Sequence, residues 1–374
     1  MHILVDYRPA LTRRTGVGEY VHETLAALLA SPAPGERISL FSASWKDRLS
    51  RQAVPGLAAD DVRDVRLPTR LLHLLWHRLE WPPVERLTRA SFDIVQAAHP
   101  LLIPSRAARL VTIYDLDFLD HPERTVREIR RDYGPLAAGH ARRADQVIVI
   151  STHTARDVEH RLGVRASHIS ICTPGAPDWQ PRATEPGTGG YILFLGTLEP
   201  RKNLDVLADA YARLRERMPG APRLVLAGQA RDEMAPLLDR LRQPPFAGHV
   251  ELPGYVPPEA RESLYAGALV FVMPSHTEGF GLPAVEAMKK GVPVIAARRG
   301  ALPESVGAGG LLLDQVDAPA LADALATLLT DPAQRRALAE AGCRHAQQFT
   351  WRRTADAMRD AWRLAHEHRV QRRG

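Results

Sequence analysis

The chain has 374 residues, 45% of them hydrophobic and 25% charged, the balance of a water-soluble globular protein long enough for about two cores. Its 49 Lys and Arg against 43 Asp and Glu give a net charge of +6. That excess is spread evenly, 24 against 21 in residues 1–180, so no basic domain or tail calls for nucleic acid. Two cysteines, Cys172 and Cys343, are too few for a disulfide framework or a zinc site and suit a reducing cytoplasm. No run reaches the ~18 apolar residues that span a bilayer, and with a strand pattern at Met1 no signal peptide is expected.

In chain order, Met1–Val5 reads as a buried strand, Asp6–Gly18 as a loop and Glu19–Leu29 as an amphipathic helix. Gly16 and Val17 in that loop are placed to bring backbone N–H groups against a diphosphate. A dinucleotide fingerprint would need glycine at position 21, where Val21 stands. A second strand covers Ile38–Ser42. Residues 70–87 mix apolar and basic side chains at helical spacing until Pro82. They suit a core-packed helix with His73 and His77 on its edge, or a surface for weak peripheral contact with anionic membrane. Strands at Asp93–Gln96 and from Leu110 end in His99 and in Tyr114-Asp115. The carboxyl edge of an open α/β sheet is where ligands bind, so these three are candidates for a ligand site; as loop polar residues that satisfy backbone groups they are equally well explained. Strands at Gln146–Ile150 and Ile169–Cys172 follow. The Pro- and Gly-rich stretch from Thr173 to Gly190 reads as a linker and hinge.

A second alternation of strands and helices then begins, predicting two parallel, doubly wound sheets. Tyr191–Leu195 leads into Gly196-Thr-Leu-Glu-Pro-Arg201-Lys202-Asn203. Adjacent cations at a helix start oppose the dipole, which a bound anion would correct. Strands at Arg223–Ala227 and His249–Gly254 precede Leu269–Met273, and that strand opens the most informative run. After it come Glu278-Gly279-Phe280-Gly281-Leu282-Pro283 and, along the following helix, Glu286. Pro283 suits a first helical turn, whose free N–H groups favour phosphate or a hydroxyl. Each ionised carboxylate can accept two hydrogen bonds from a vicinal diol.

The Glu278-x7-Glu286 run with its Gly-Phe-Gly-Leu-Pro core, and Gly196-x4-Arg201-Lys202-Asn203, resemble the signatures of retaining family-4 glycosyltransferases with the GT-B fold. The resemblance spans the whole chain. It departs at Tyr114-Asp115, where the family often has His-Asp, and at Pro174-Gly175, where it often has Pro-Asn-Gly. It implies two Rossmann-like domains facing across a cleft: residues 1–180 for the acceptor, 181–350 for the nucleotide-sugar donor, and a final helix, 351–374, returning to the N-terminal domain. Donor contacts are expected from Gly16, Val17, Arg201, Lys202, Gly228, Tyr255, Val256, Gly279, Phe280, Gly281 and Leu282. Glu278 is expected to hold the hexose and Glu286 the ribose. Arg201 and Lys202 would take the leaving phosphate's charge in place of a metal. Asp115 would help at the reacting centre, with His99 and Tyr114 on the acceptor side. The pattern, including Thr112-Ile-Tyr-Asp-Leu-Asp-Phe118, looks most like bacterial mannosyltransferases of polysaccharide assembly. That predicts GDP-mannose as donor and a glycan or lipid-linked acceptor, with no cofactor and no nucleic acid. The alternatives are a UDP-sugar donor, a NAD-dependent oxidoreductase, or a non-catalytic sugar-nucleotide sensor.

Overall fold

The computed structural model describes residues 1–372 apart from Arg13, Arg51, Thr125, Val126 and Thr188. Arg13 of the predicted first loop and Thr188 of the predicted linker therefore lie outside the described residues. The chain divides into two compact units, one of residues 1–175 with 351–374 and one of residues 176–350.

The first unit is built on seven parallel strands: β1 (His2–Asp6), β2 (Arg37–Ala43), β3 (Val62–Val65), β4 (Ile94–Ala97), β5 (Ala108–Ile113), β6 (Gln146–Val149) and β7 (Ile169–Ile171), in the order β3-β2-β1-β4-β5-β6-β7. Central strands such as β1 and β4 are apolar on both faces because helices cover both, the pattern of a parallel sheet. The edge strand β3, Val-Arg-Asp-Val, escapes the sequence reading. It is only half buried and carries two charges, so it has no apolar run to notice. The helix Arg127–Arg143 also goes unread, its pattern broken by an internal Pro135.

The second unit repeats the plan with β8 (Tyr191–Leu195), β9 (Leu224–Ala227), β10 (Val250–Gly254), β11 (Ala268–Met273), β12 (Val294–Ala297) and β13 (Leu311–Leu313), in the order β10-β9-β8-β11-β12-β13. Fully buried Phe194, Tyr211 and Leu325 anchor its core. In both sheets the order reverses beside the first strand, between β1 and β4 and between β8 and β11. Such a switch point leaves a crevice at the carboxyl ends, where open α/β sheets bind ligands.

The boundary between units falls at Gly175/Ala176, earlier than residue 180. Ala176 pairs with Thr350 in a parallel bridge and its N–H donates to Phe349 O at 3.1 Å, which ties it to the second unit. The last helix, Trp351–Gln371, belongs to the first unit. Trp362 is fully buried there, with its indole N–H on Gln96 Oε1 at 2.7 Å, and Arg359 pairs with Glu36 at 3.0 Å. No helix among the described residues is long and apolar enough to cross a membrane.

Candidate functional site

In the second unit, the turn after β8 and the loop after β11 meet at the switch point. A 3-10 turn, Pro200–Lys202, ends at Asn203, which is left-handed (φ 56°) and starts the helix Leu204–Arg217. The turn is strapped to the loop: Asn203 Nδ2 donates to Pro274 O at 3.2 Å, and His276 N–H to Arg201 O at 2.9 Å. Two motifs more than seventy positions apart in sequence thus form one site. Gly300 closes it from behind. It is left-handed (φ +55°), and a Cβ there would come within 2.7 Å of Glu278 N and O.

Glu278 is the centre of the charge network and is only 5% exposed. Lys202 Nζ reaches its Oε1 at 2.6 Å, Ser275 Oγ the same oxygen at 2.7 Å, and Arg201 Nη1 its Oε2 at 3.2 Å. Burial alone would raise the carboxyl pKa. Lys202 and Arg201 outweigh burial and hold it at about 2, so Glu278 is ionised. For buried Lys202 the balance runs the other way, and desolvation lowers its pKa despite Glu278. Glu199 accepts from Arg201 Nε at 2.5 Å and pairs with Arg231 at 3.0 Å. Arg201, Lys202 and Arg231 therefore share the carboxylates of Glu278 and Glu199.

This corrects the argument from unbalanced helix-start cations. Arg201 and Lys202 already have protein carboxylates, so their presence alone does not call for an anion. Arg231, Glu199 and Ser275 were missed. Glu199 stood inside one motif and Ser275 three residues before Glu278 in the other, so both could have been read as partners; Arg231 comes from a separate turn.

The helix Leu282–Lys289 starts at left-handed Gly281. Glu286 on it is 2% exposed, takes the Tyr265 hydroxyl at 2.8 Å and lies 3.6 Å from Arg261. Gly279 is buried beside Phe280, whose ring packs edge-on against Phe349 at 5.4 Å. Phe280 can therefore offer a ligand only its backbone, while Leu282 is half-buried at the helix start. Gly228 donates to Gly254 O at 2.8 Å, joining the ends of β9 and β10, and Tyr255 and Val256 follow half-buried.

In the first unit, Gly16 and Val17 are not loop residues: they open the helix Gly16–Ala30. Gly18 is required for packing, since a Cβ there would meet Pro9 O at 2.5 Å. Asp115 accepts from Asp117 N–H at 3.2 Å, a local turn contact. Tyr114 stands edge-on to Tyr20 at 5.6 Å, and its buried hydroxyl has no partner among the described residues.

His99 falls into a cluster that sequence reading did not assemble. Arg8, just past β1, forms a two-point pair with Asp6 (both contacts 2.8 Å) and reaches His99 Nε2 at 2.9 Å and His73 Nε2 at 3.2 Å. His77 stacks on His73 at 4.8 Å and faces Asp132 at 3.4 Å. The helix Thr69–Leu74 runs into a π-helical turn, Leu75–Leu79, with Leu72, Trp76 and His77 buried, so His77 is not at an edge. The strand-end rule that selected His99 and Tyr114 would also have selected Asp6 and Arg8 had it been applied to β1.

Comparison with known proteins agrees with this architecture. The family model described as glycosyl transferases group 1 matches residues 176–345, and that of glycosyltransferase family 4 matches residues 14–178. The O-antigen chain mannosyltransferase B of Escherichia coli is 38% identical, over 97% of this chain and all of that one. A D-inositol 3-phosphate glycosyltransferase of Corynebacterium urealyticum is 36% identical over 59% of this chain and 57% of its own. Among solved structures, sucrose-phosphate synthase from Thermosynechococcus elongatus superposes with a TM-score of 0.75 at 20% identity, covering 97% of this chain and 98% of that one. WaaG, a glycosyltransferase involved in lipopolysaccharide biosynthesis, gives 0.72 at 16%, covering 96% and 99%. With two Rossmann-like units, both family models in sequence and a full-length relative, the chain belongs to the family 4 glycosyltransferases of the GT-B fold.

Proposed function

We propose that this glycosyltransferase is a retaining hexosyltransferase that moves mannose from GDP-mannose to a hydroxyl of a glycan or lipid-linked acceptor. The observation that carries the reading is the network at the β8/β11 switch point, where Lys202 and Arg201 are held on buried Glu278 beside the start of the helix Leu282–Lys289. Positioned cations and free helix-start N–H groups suit a diphosphate whose charge grows as it leaves. The choice of mannose rests on the full-length Escherichia coli relative, named a mannosyltransferase.

In this reading the bond from the sugar's anomeric carbon to the phosphate oxygen breaks. The acceptor oxygen bonds to the same face of that carbon, and the acceptor's proton passes to the leaving phosphate. Arg201, Lys202 and the N–H groups at Gly279–Leu282 carry the developing charge, so no metal cofactor is required. Glu278, fixed by its ion pairs, meets the hexose hydroxyls, and Glu286 the ribose. Gly16, Val17, Gly228, Tyr255 and Val256 complete the donor contacts, and Asp115 assists at the acceptor hydroxyl.

Leu71, Leu74, Leu79 and Trp81, 45–65% exposed, make an apolar face beside Arg78. It supports a peripheral seat on anionic membrane, in keeping with a cytoplasmic enzyme of surface polysaccharide assembly.

The test is thermal stabilisation against GDP, GDP-mannose, UDP, UDP-sugars and NAD. A ligand at 100 times its dissociation constant adds about 2.7 kcal/mol. A GDP-specific shift that survives EDTA and is lost in Arg201→Ala supports the reading. A shift with UDP alone replaces the donor, and one with NAD alone overturns the activity.

A further inference from the structure

Glu286 stands one helical turn beyond the start of Leu282–Lys289 and is almost closed off from solvent, at 2% exposed. A carboxylate in such a place keeps its charge only where donors replace the lost water. A donor that is itself rigid also decides which way the two oxygens point.

Tyr265 is a donor of that kind. It lies near the end of the helix Pro258–Ala266 and is fully buried. Its ring touches Trp179, with centroids 5.7 Å apart, and Phe271 of β11, at 5.8 Å. Its hydroxyl donates to Glu286 Oε2 at 2.8 Å and lies 3.1 Å from Pro283 O, earlier on the same helix as Glu286. A phenol has one proton to give, and a carboxylate is the stronger acceptor. A tyrosine buried for packing alone would be satisfied by Pro283 O. Burial first, then Glu286, raises the Tyr265 pKa well above its usual value, so the group stays a donor. Arg261 stands four positions before Tyr265, on the same helix face, and its Nη1 is 3.6 Å from Glu286 Oε1. That is too long for a hydrogen bond and close enough for charge attraction. One helix face thus presents a phenol to one oxygen of Glu286 and a cation to the other.

We propose that Tyr265 is the positioning residue of Glu286, its hydroxyl holding one carboxylate oxygen so that the side chain meets the ribose diol in a single orientation. Tyr265 therefore sets how strongly the site prefers a ribonucleotide to its deoxy counterpart. The inference rests on the proposed function, in which Glu286 meets the ribose, and deepens it by assigning the sugar selectivity to a residue that acts through Glu286.

The test is calorimetric titration of the full chain with GDP, 2′-deoxy-GDP and 3′-deoxy-GDP, and with the uridine set in parallel. The wild type should bind the ribonucleotide about tenfold tighter than at least one deoxy form, the scale of one hydrogen bond to a charged group. Tyr265→Phe keeps the ring and deletes the hydroxyl. It should reduce that ratio to about twofold by weakening the ribonucleotide, with the form that lacks the gripped hydroxyl nearly unchanged. In a Glu286→Gln background the same substitution should alter the ratio no further. A wild-type ratio in Tyr265→Phe, or equal weakening of all forms as a packing role would give, overturns the proposal. If Tyr265→Phe does not fold, Trp179→Leu serves: it removes a ring contact, retains the hydroxyl, and should lower the ratio about twofold. An unchanged ratio there overturns the proposal as well. These failures leave the donor reading standing as long as the wild type binds the ribonucleotide and prefers it. A wild type that binds ribo and deoxy forms equally removes Glu286 from the ribose, and one that binds no nucleoside diphosphate sinks the donor reading; the inference falls with either.

Discussion

The two switch points are built alike and balanced differently. Each buries a carboxylate against an arginine where the sheet order reverses: Asp6 with Arg8 beside β1, and Glu278 with Arg201 and Lys202 beside β8. Beside β1 Asp6 and Arg8 pair, and burial lowers the pKa of the neighbouring His77 and His99. Beside β8 a third cation, Arg231, joins the network through Glu199. The same topology therefore carries two different charge arrangements, a closed Asp6–Arg8 pair and a larger network of acids and cations.

Acid should separate the two units most strongly. In the first unit, burial lowers the pKa of His22, His77 and His140 from 6.5 to about 4, and His99 also lies well below its usual value. These groups stay neutral when folded and take protons when unfolded. Stability is therefore full above pH 6.5 and falls as pH drops toward 4, by up to about 3 kcal/mol for each fully buried ring. In the second unit, Glu278 moves from 4.5 to about 2, so its contribution is lost only below pH 4.5. Hydrogen exchange at pH 4.5 against pH 7 should show β1, β4 and β5 losing protection while β8 and β11 keep theirs. Equal loss in both sheets would contradict the assignment.

Removing the carboxylates tests the balance directly. Asp6→Asn strands Arg8, whose side chain is 9% exposed, and Glu278→Gln strands buried Lys202; breaking such a pair costs about 3–5 kcal/mol. Urea midpoints should fall in both variants. At pH 3 the Glu278→Gln deficit should shrink, because the wild-type carboxylate is then approaching its own titration while the unfolded chain no longer ionises that group. A deficit unchanged between pH 7 and pH 3 would show that Glu278 is not the pinned acid.

Activity should divide the switch points next. Arg201→Ala should lower kcat/KM by about 10²–10³, the scale of losing one preorganised charge contact in the transition state. Arg8→Gln should leave the nucleotide melting shift as it is in the wild type. If Arg8→Gln abolished nucleotide binding, the two crevices would not be chemically separate.

How much of this was legible depends on how the residues are strung along the chain. Glu278 to Glu286 and Gly196 to Asn203 are contiguous, with glycines and a proline that mark the turns, so both stretches could be read directly. Tyr265, Arg261 and Arg231 reach those motifs from other elements with ordinary helical or turn surroundings, and no local spacing announces them. The Arg8 cluster is harder still. Asp6, Arg8, His73, His77, His99 and Asp132 come from separate strand ends and helices, and only the sheet order brings them together. The Gly16-Val17-Gly18 run misled on the helix boundary because a glycine needed for contact with Pro9 looks the same in sequence as one needed for a phosphate loop. Charge bookkeeping at Arg201-Lys202 misled for a related reason. A helix-start cation pair can be matched by acids from anywhere in the fold.

The smallest effect sharpens the comparison furthest. Arg231 is 38% exposed at its side chain, so its pair with Glu199 at 3.0 Å should add only about 0–1 kcal/mol to stability. Its larger expected role is its positive charge near the Arg201–Lys202 turn. Arg231→Ala removes one cation from the network around Glu199. Nucleotide diphosphate affinity should then fall several-fold at low ionic strength, with the difference from wild type fading as salt shortens the screening length from about 30 Å at 0.01 M to about 8 Å at 0.15 M. Titration of GDP at the two ionic strengths measures it. A loss that persists at high salt would mean that Arg231 contacts the ligand directly, and no loss at either would mean that the Arg231 charge does not select the phosphate.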